Sequence, residues 1–296
     1  MIFYQYDVGP FVIRINYDLS TFFFKSKDKN TENEIWTIII DENTDYYNYF
    51  QNYKLPFHTS EYDCAYNTEI FYEINYITKR ILVKCTSVYN FVNTFFNLPL
   101  QYMCLNEKMF LLHAMGVLDS SNKVALFIGE SGVGKSSLLN NLLKTYSFFC
   151  DDTAILQLCK DTFKVWPTST IIKISSTYQD LQVPVNDKGK SILSITQLNK
   201  KTPQNEPRIL DKIFYLARDC DSAITPITSY YTKHKLLYNG IYGIQNMQIK
   251  RKETLNSLLI SRITLQTRHF NCTLKNDSNP ERYVTINKIL EKYLGG

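Results

Sequence analysis

The chain has 296 residues, of which 44% are hydrophobic, 21% charged and 14% aromatic, enough for a sizeable core and far from disordered compositions. Ten glycines and nine prolines exclude a collagen-like or linker-dominated chain, and a length about twice that of a typical domain predicts two domains or one with an appendage. The net charge of +5 is uneven: residues 1–105 carry 8 Lys/Arg against 12 Asp/Glu and residues 106–296 carry 25 against 16, with no basic block long enough to mark a nucleic-acid partner, so phosphate ligands of the second part are favoured over nucleic acid.

In chain order, Phe11–Ile15, Ile35–Ile40, Ile70–Tyr76 and Arg80–Lys84 are short runs of β-branched and aromatic residues that predict strands, and the polar stretch Lys25–Glu34 predicts a loop. Val88, Phe91, Val92 and Phe95 have the spacing of an amphipathic helix that Pro99 stops. Residues 1–105 are therefore expected to form a small α+β module. Met109–Leu118 predicts one apolar strand, Asp119–Asn122 a turn and Val124–Ile128 a second strand, the two pairing as a hairpin. Leu138, Leu139, Leu142 and Leu143 define a helix face, and Ser147–Cys150 a strand ending at Asp151-Asp152. Pro226 is expected to open a helix that Gly240 closes, and Pro280 to sit in the first turn of a terminal helix with Ile286, Ile289, Leu290 and Tyr293 on one face. Between Thr153 and Thr273 the remaining strands cannot be ordered by periodicity.

Seven cysteines without paired or zinc-ligand spacing predict buried thiols in a reducing compartment. The N-terminal residues Met1–Asp7 lack the pattern of a signal peptide, and no apolar run approaches the ~18 residues of a membrane span. A cytoplasmic protein with no membrane partner is expected, and a homo-oligomer is compatible with the sequence.

Gly129-Glu130-Ser131-Gly132-Val133-Gly134-Lys135-Ser136 satisfies G-x-x-x-x-G-K-[ST], between a buried strand and an amphipathic helix as the motif requires. Its glycines let successive amides face inward as an anion nest, Lys135 supplies an ammonium for the β- and γ-phosphates, and the Ser136 hydroxyl is a hard oxygen ligand for Mg²⁺. The nucleotide-binding set is expected to run from Gly129 to Ser137. Asn199-Lys200-Lys201-Thr202 lacks the acid of a guanine-reading segment, which argues against a GTPase.

Asp151 and Asp152 follow a strand, and the carboxyl ends of strands in an α/β sheet collect ligands. Adjacent side chains on extended backbone face opposite ways, so one acid is free for the metal and the other for an incoming hydroxyl. His113, taken alone, is a packed core histidine; the hairpin carries it beside the strand that feeds the phosphate loop and makes it a site candidate. His58, His234 and His269 have no such setting.

Leu112-His113-Ala114, the hairpin, Gly129–Ser136 and Asp151-Asp152, in this order and spacing, resemble the kinase domain of the HPr kinase/phosphorylase family. The chain is more closely similar to the HPr-kinase-like proteins that phosphorylate a serine of ribosomally made peptide precursors such as lasso peptides. The resemblance covers residues 109–157 well and 158–296 loosely. It implies an α/β fold, a P-loop kinase domain of HPr kinase type over 106–296 with a mixed sheet and a hairpin feeding the loop, after the α+β module 1–105. It further implies an ATP- and Mg²⁺-dependent serine kinase acting on a peptide or small protein. Lys135 and Ser136 would bind phosphates and metal and Asp151 would accept the serine proton with His113 nearby, which leaves Asp152, on the reading of the acid pair above, for the metal. Ala114 stands where the family commonly has glycine, and Lys160–Val183 shows no counterpart of the Glu- and Arg-containing signature of the bifunctional enzymes, so phosphorylase activity is expected to be lacking. Lys188 and Lys190 are candidate phosphate or substrate contacts. A kinase of a small hydroxyl compound, and a nucleotide-binding switch without transfer activity, stay open as alternatives.

Overall fold

The computed structural model describes residues 2–20, 23–26, 35–42, 62–66, 70–85, 87–88, 91, 99–169, 171–175, 190–195, 205–241, 259–276 and 281–295. The chain divides into two compact units, Met1–Glu107 and Lys108–Gly296.

The first unit is built on one sheet. Its strands are β1 (Tyr4–Val8), β2 (Phe11–Ile15), β3 (Phe24–Lys25), β4 (Ile35–Glu42), β5 (Tyr62–Tyr66), β6 (Ile70–Asn75) and β7 (Arg80–Cys85), in the order β3-β1-β2-β4-β7-β6-β5. β2, β4 and β7 run parallel and the other pairs antiparallel. Alternation of buried and half-buried residues along β4 and β7 drives Trp36, Ile38, Ile40, Ile81 and Val83 into the core. Asn16 staples β4 from the side, its amide donating to the Ile40 carbonyl and accepting from the Ile40 amide, both at 2.8 Å.

α1 (Pro99–Asn106) follows. Pro99 opens this helix, since proline at a first helical position loses no hydrogen bond and its φ already suits the helix; where the helix expected over Val88–Phe95 ends lies outside the described residues. Val88 and Phe91 have helical conformation and Phe91 is buried, whereas Val92 and Phe95 lie outside the described residues, as do His58, Lys188 and Pro280.

The second unit contains β8 (Met109–Leu112), β9 (Ala114–Leu118), β10 (Val124–Gly129), α2 (Lys135–Leu142), β11 (Ser147–Cys150), β12 (Ala154–Cys159), β13 (Thr162–Pro167), β14 (Ile171–Ser175), β15 (Lys190–Ser194), β16 (Arg208–Asp219), β17 (Ala223–Pro226), α3 (Tyr230–Asn239), α4 (Ser261–Gln266), β18 (Arg268–Lys275) and α5 (Glu281–Leu294). β9 and β10 form the expected hairpin, Ala114 opposite Ile128. β10, β16 and β18 run parallel, and β11 closes the sheet against β9. The long β16 also pairs through Arg208 and Ile209 with β13, which leads to β12 and β8. Phe127, Phe214 and Phe270 sit opposite one another on the three parallel strands, with ring centroids 4.9 and 5.1 Å apart, a stacked aromatic ladder. Leu138, Leu139 and Leu142 of α2 and Ile286, Leu290 and Leu294 of α5 share its core cluster.

Three sequence expectations are corrected here. Met109–Leu118 is two strands, broken at His113, because β8 pairs with β12 whereas β9 pairs with β10. Pro226 ends a strand instead of opening a helix; it sits at the last residue of β17, and the helix starts at Tyr230 behind the Ser229 cap. Cys85, Cys104, Cys150 and Cys272 are buried free thiols, but Cys159 is half-buried and Cys220 exposed, contrary to the expectation of burial for all. Among the described residues no helix is long and apolar enough to cross a membrane.

Candidate phosphate-binding site

β10 is buried from Val124 to Ile128 between two partner strands, so its carboxyl end is fixed where the loop begins. Gly132 at φ +84° and Gly134 at φ +111° take the left-handed turns that curl the loop. Val133 donates its amide to the Glu130 carbonyl at 3.3 Å, and α2 begins at Lys135 with its first-turn amides facing the loop. The Lys135 ammonium bridges the loop, donating to the carbonyls of Gly129 at 2.6 Å and Glu130 at 3.2 Å. Ser136 and Ser137 are half-buried in the first turn. Buried leucines hold that helix end in place.

Cys150 stands opposite Gly116 and Gly116 opposite Leu126, so the ends of β11 and β10 reach the same edge of the sheet. Asp151 is buried beyond β11. Asp152 turns away at φ +67°, a conformation that aspartate tolerates. The expectation of two acids on opposite faces of extended backbone is corrected accordingly: a tight turn, closed by the Thr153 amide on the Asp151 carbonyl at 2.8 Å, separates them. Buried Thr153 and Thr168 lock that turn through hydroxyls 2.6 Å apart. Burial pushes the Cys150 thiol well up, and the neighbouring Asp151 charge adds to it.

His113 occupies the break between β8 and β9, its amide donating to the Gly240 carbonyl at 2.8 Å. Its Nε2 lies 3.4 Å from Oδ1 of Asp152, the second acid of the pair, with both side chains about one-third exposed (33% and 29%). A cleft of about 820 Å³ joins His113 to Gly129–Val133 of the loop. Its other walls are Tyr215–Arg218 at the end of β16 and Leu236 with Asn239–Ile241 at the end of α3. Lys135, Ser136, Ser137, Asp151 and Asp152 do not line this cleft; the first three begin α2 and the two acids follow β11.

Sequence reasoning missed Tyr215, Arg218 and Asn239. The signal for the first two was the apolar run Ile213–Leu216 closed by Ala-Arg-Asp, the profile of a buried parallel strand with a polar carboxyl end. It also missed the setting of His269, whose Nδ1 meets the Tyr215 hydroxyl at 2.9 Å and whose Nε2 meets Thr267 Oγ1 at 2.7 Å. Burial drives His269 down to about 4, with the Ile263 carbonyl opposing and Lys233 reinforcing, and burial raises the Tyr215 phenol. The pair is a neutral, hydrogen-bonded buttress behind the cleft wall.

Among the described residues no group of three His, Cys, Asp or Glu side chains forms a metal cage. Mg²⁺ typically binds one or two protein oxygens and completes its octahedron with phosphates and water, which Ser136 and Asp152 can provide for.

No family model matches the chain, and no curated protein matches it. Among solved structures the fold is similar to that of the Hpr(Ser) kinase/phosphatase from Coxiella burnetii, with a TM-score of 0.36 and 12% identity, covering 62% of this chain and 89% of that one.

Proposed function

We propose that the protein is an ATP- and Mg²⁺-dependent kinase that phosphorylates a serine hydroxyl on a peptide or small protein. The observation that carries this proposal is the meeting, at one edge of the sheet, of a curled glycine loop braced by Lys135 with His113 and the Asp151–Asp152 turn. A phosphate-binding loop alone makes a nucleotide binder; a sheltered carboxylate at the same edge adds a proton acceptor.

The loop amides and Lys135 would hold the phosphate chain, with the ammonium exchanging its carbonyl partners for phosphate oxygens. Bound with the nucleotide, Mg²⁺ would neutralise charge on the phosphate oxygens, held by Ser136 and Asp152. The serine Oγ forms a bond to the γ-phosphorus as the bond from that phosphorus to the β,γ-bridging oxygen breaks, ADP leaves, and the hydroxyl proton passes to Asp151. Asp151 suits that role because it is buried, whereas Asp152 engages His113. His113 orients the second acid. We also propose that transfer runs forward only, since Lys160–Val183 lacks the segment associated with phosphorolysis.

The test is Mg²⁺-dependent phosphate transfer from ATP to serine-containing peptides by wild type, Lys135→Ala, Asp151→Asn and Asp152→Asn. Lys135→Ala is expected to lose nucleotide binding or transfer while staying folded. Asp151→Asn keeps ATP binding and loses about 10²- to 10⁴-fold in rate. Asp152→Asn shifts the Mg²⁺ requirement upward. ATP binding without transfer to any peptide makes the protein a switch, and transfer to a free hydroxyl compound alone makes it a small-molecule kinase.

A further inference from the structure

β10 and β16 are parallel neighbours with Gly129 opposite Leu216, so β16 continues past the level at which β10 gives way to the phosphate loop. Arg218 lies on that continuation, held in register opposite Leu274 of β18. Its Nη2 stands 3.3 Å from the point that a Cβ on Gly134 would occupy, and it lines the same cleft as Gly129–Val133. Three other cations of β16 and β18 have carboxylate partners: Arg208 pairs with Glu206 at 3.0 Å, Lys212 with Asp119 at 3.1 Å and with Asp211, and Arg268 with Asp211. The adjacent Asp219 turns its carboxylate onto the Cys220 amide at 2.7 Å. Among the described residues none pairs with the Arg218 guanidinium.

A half-buried guanidinium without an anion, against an anion nest, needs a negative partner, and its planar fork matches phosphate oxygens two at a time. We infer that Arg218 is a second cation for the phosphate chain of the bound nucleoside triphosphate, approaching from the neighbouring strand while Lys135 approaches from the helix. This rests on the nucleotide reading of the loop and extends it to a residue outside the motif. Two cations from opposite sides neutralise the terminal phosphate better than one, so Arg218 favours a triphosphate over a diphosphate.

The test is calorimetric titration of MgATP and MgADP into wild type, Arg218→Ala, Arg218→Lys and Lys135→Ala, with thermal unfolding of each protein free of nucleotide. Arg218→Ala is expected to weaken MgATP binding about 10- to 100-fold, as for a lost charge-assisted hydrogen-bond pair, and MgADP by less. Arg218→Lys, keeping the charge without the fork, falls between. Wild-type affinity in both Arg218 variants, with binding lost in Lys135→Ala, would overturn the inference and leave the loop assignment intact. No nucleotide binding by wild type would overturn both. A lowered unfolding temperature in either Arg218 variant with unchanged affinity would give Arg218 a structural role instead.

Discussion

Gly116 faces Cys150, the last residue of the acid-bearing strand β11, in its pairing with β9, and Gly116→Ala tests whether the acid turn depends on that contact. A Cβ there would come 2.9 Å from Cys150 Sγ, 3.1 Å from Leu126 Cδ2 and 3.5 Å from Phe149 Cδ1. All three neighbours are buried, so the methyl cannot be accommodated by a side chain swinging into solvent. Overpacking a filled core by one methyl costs about 1–3 kcal/mol. For a unit the size of Lys108–Gly296 that is a fall of roughly 2–12 °C in unfolding temperature. The cheapest relief moves Cys150, and Asp151 is the next residue, so phosphate transfer should fall along with stability. Cys150→Ala removes the closest contact. The double variant is therefore expected to be about 1 kcal/mol more stable than the sum of the two single effects, with transfer partly restored. Calorimetric unfolding of the four proteins, paired with the transfer assay, reads both quantities. Strict additivity, or a Gly116→Ala protein as stable as wild type, would refute the reasoning.

Three further outcomes are expected. His269 is held near 4 when folded against 6.5 when unfolded, so its contribution is fully present above pH 6.5 and is lost as pH falls toward 4, a change of about 3 kcal/mol; urea denaturation at pH 7.5 and 4.5 should show a smaller loss in His269→Gln than in wild type. Lys212→Met leaves the buried Asp119 carboxylate without its ammonium, 3.1 Å away, and should cost about 3–5 kcal/mol, less than additively with Asp119→Asn in a denaturant series. Ser229 caps α3 by accepting the Thr232 amide at 3.3 Å, so Ser229→Ala should destabilise by about 1 kcal/mol, measurable by chemical unfolding.

What was legible in the sequence was what is local. The strands from Phe11, Ile35, Ile70 and Arg80, the hairpin, and the leucine face of α2 are written in short-range alternation or period, and each is found where that pattern places it. The curl of the loop after β10 was legible because two of its glycines, Gly132 and Gly134, take positive φ within eight residues. His113 was harder: the apolar run around it is continuous, and only the separate partners of β8 and β9 break it. The turn at Asp152 was hidden because nothing in Asp-Asp itself selects positive φ. Pro226 was misread because proline breaks an element or begins one according to its neighbours. Arg218 carried a local signal only as the polar end of an apolar strand; what brings it to the cleft is the pairing of β10 with β16, some ninety residues apart, which no window along the chain contains.

That same pairing sets an order of assembly. β10 has β9 on one side from the outset, but its other edge is closed by a strand that is synthesised much later, beginning at Arg208. Until then β10 presents an apolar strand with unpaired amides and carbonyls, the kind of edge that recruits other chains. Contacts this distant in sequence also slow folding. During translation, then, one edge of β10 is sheltered only after Arg208 has been made, and a nascent chain stalled before Arg208 would display that strand as an open template for aggregation.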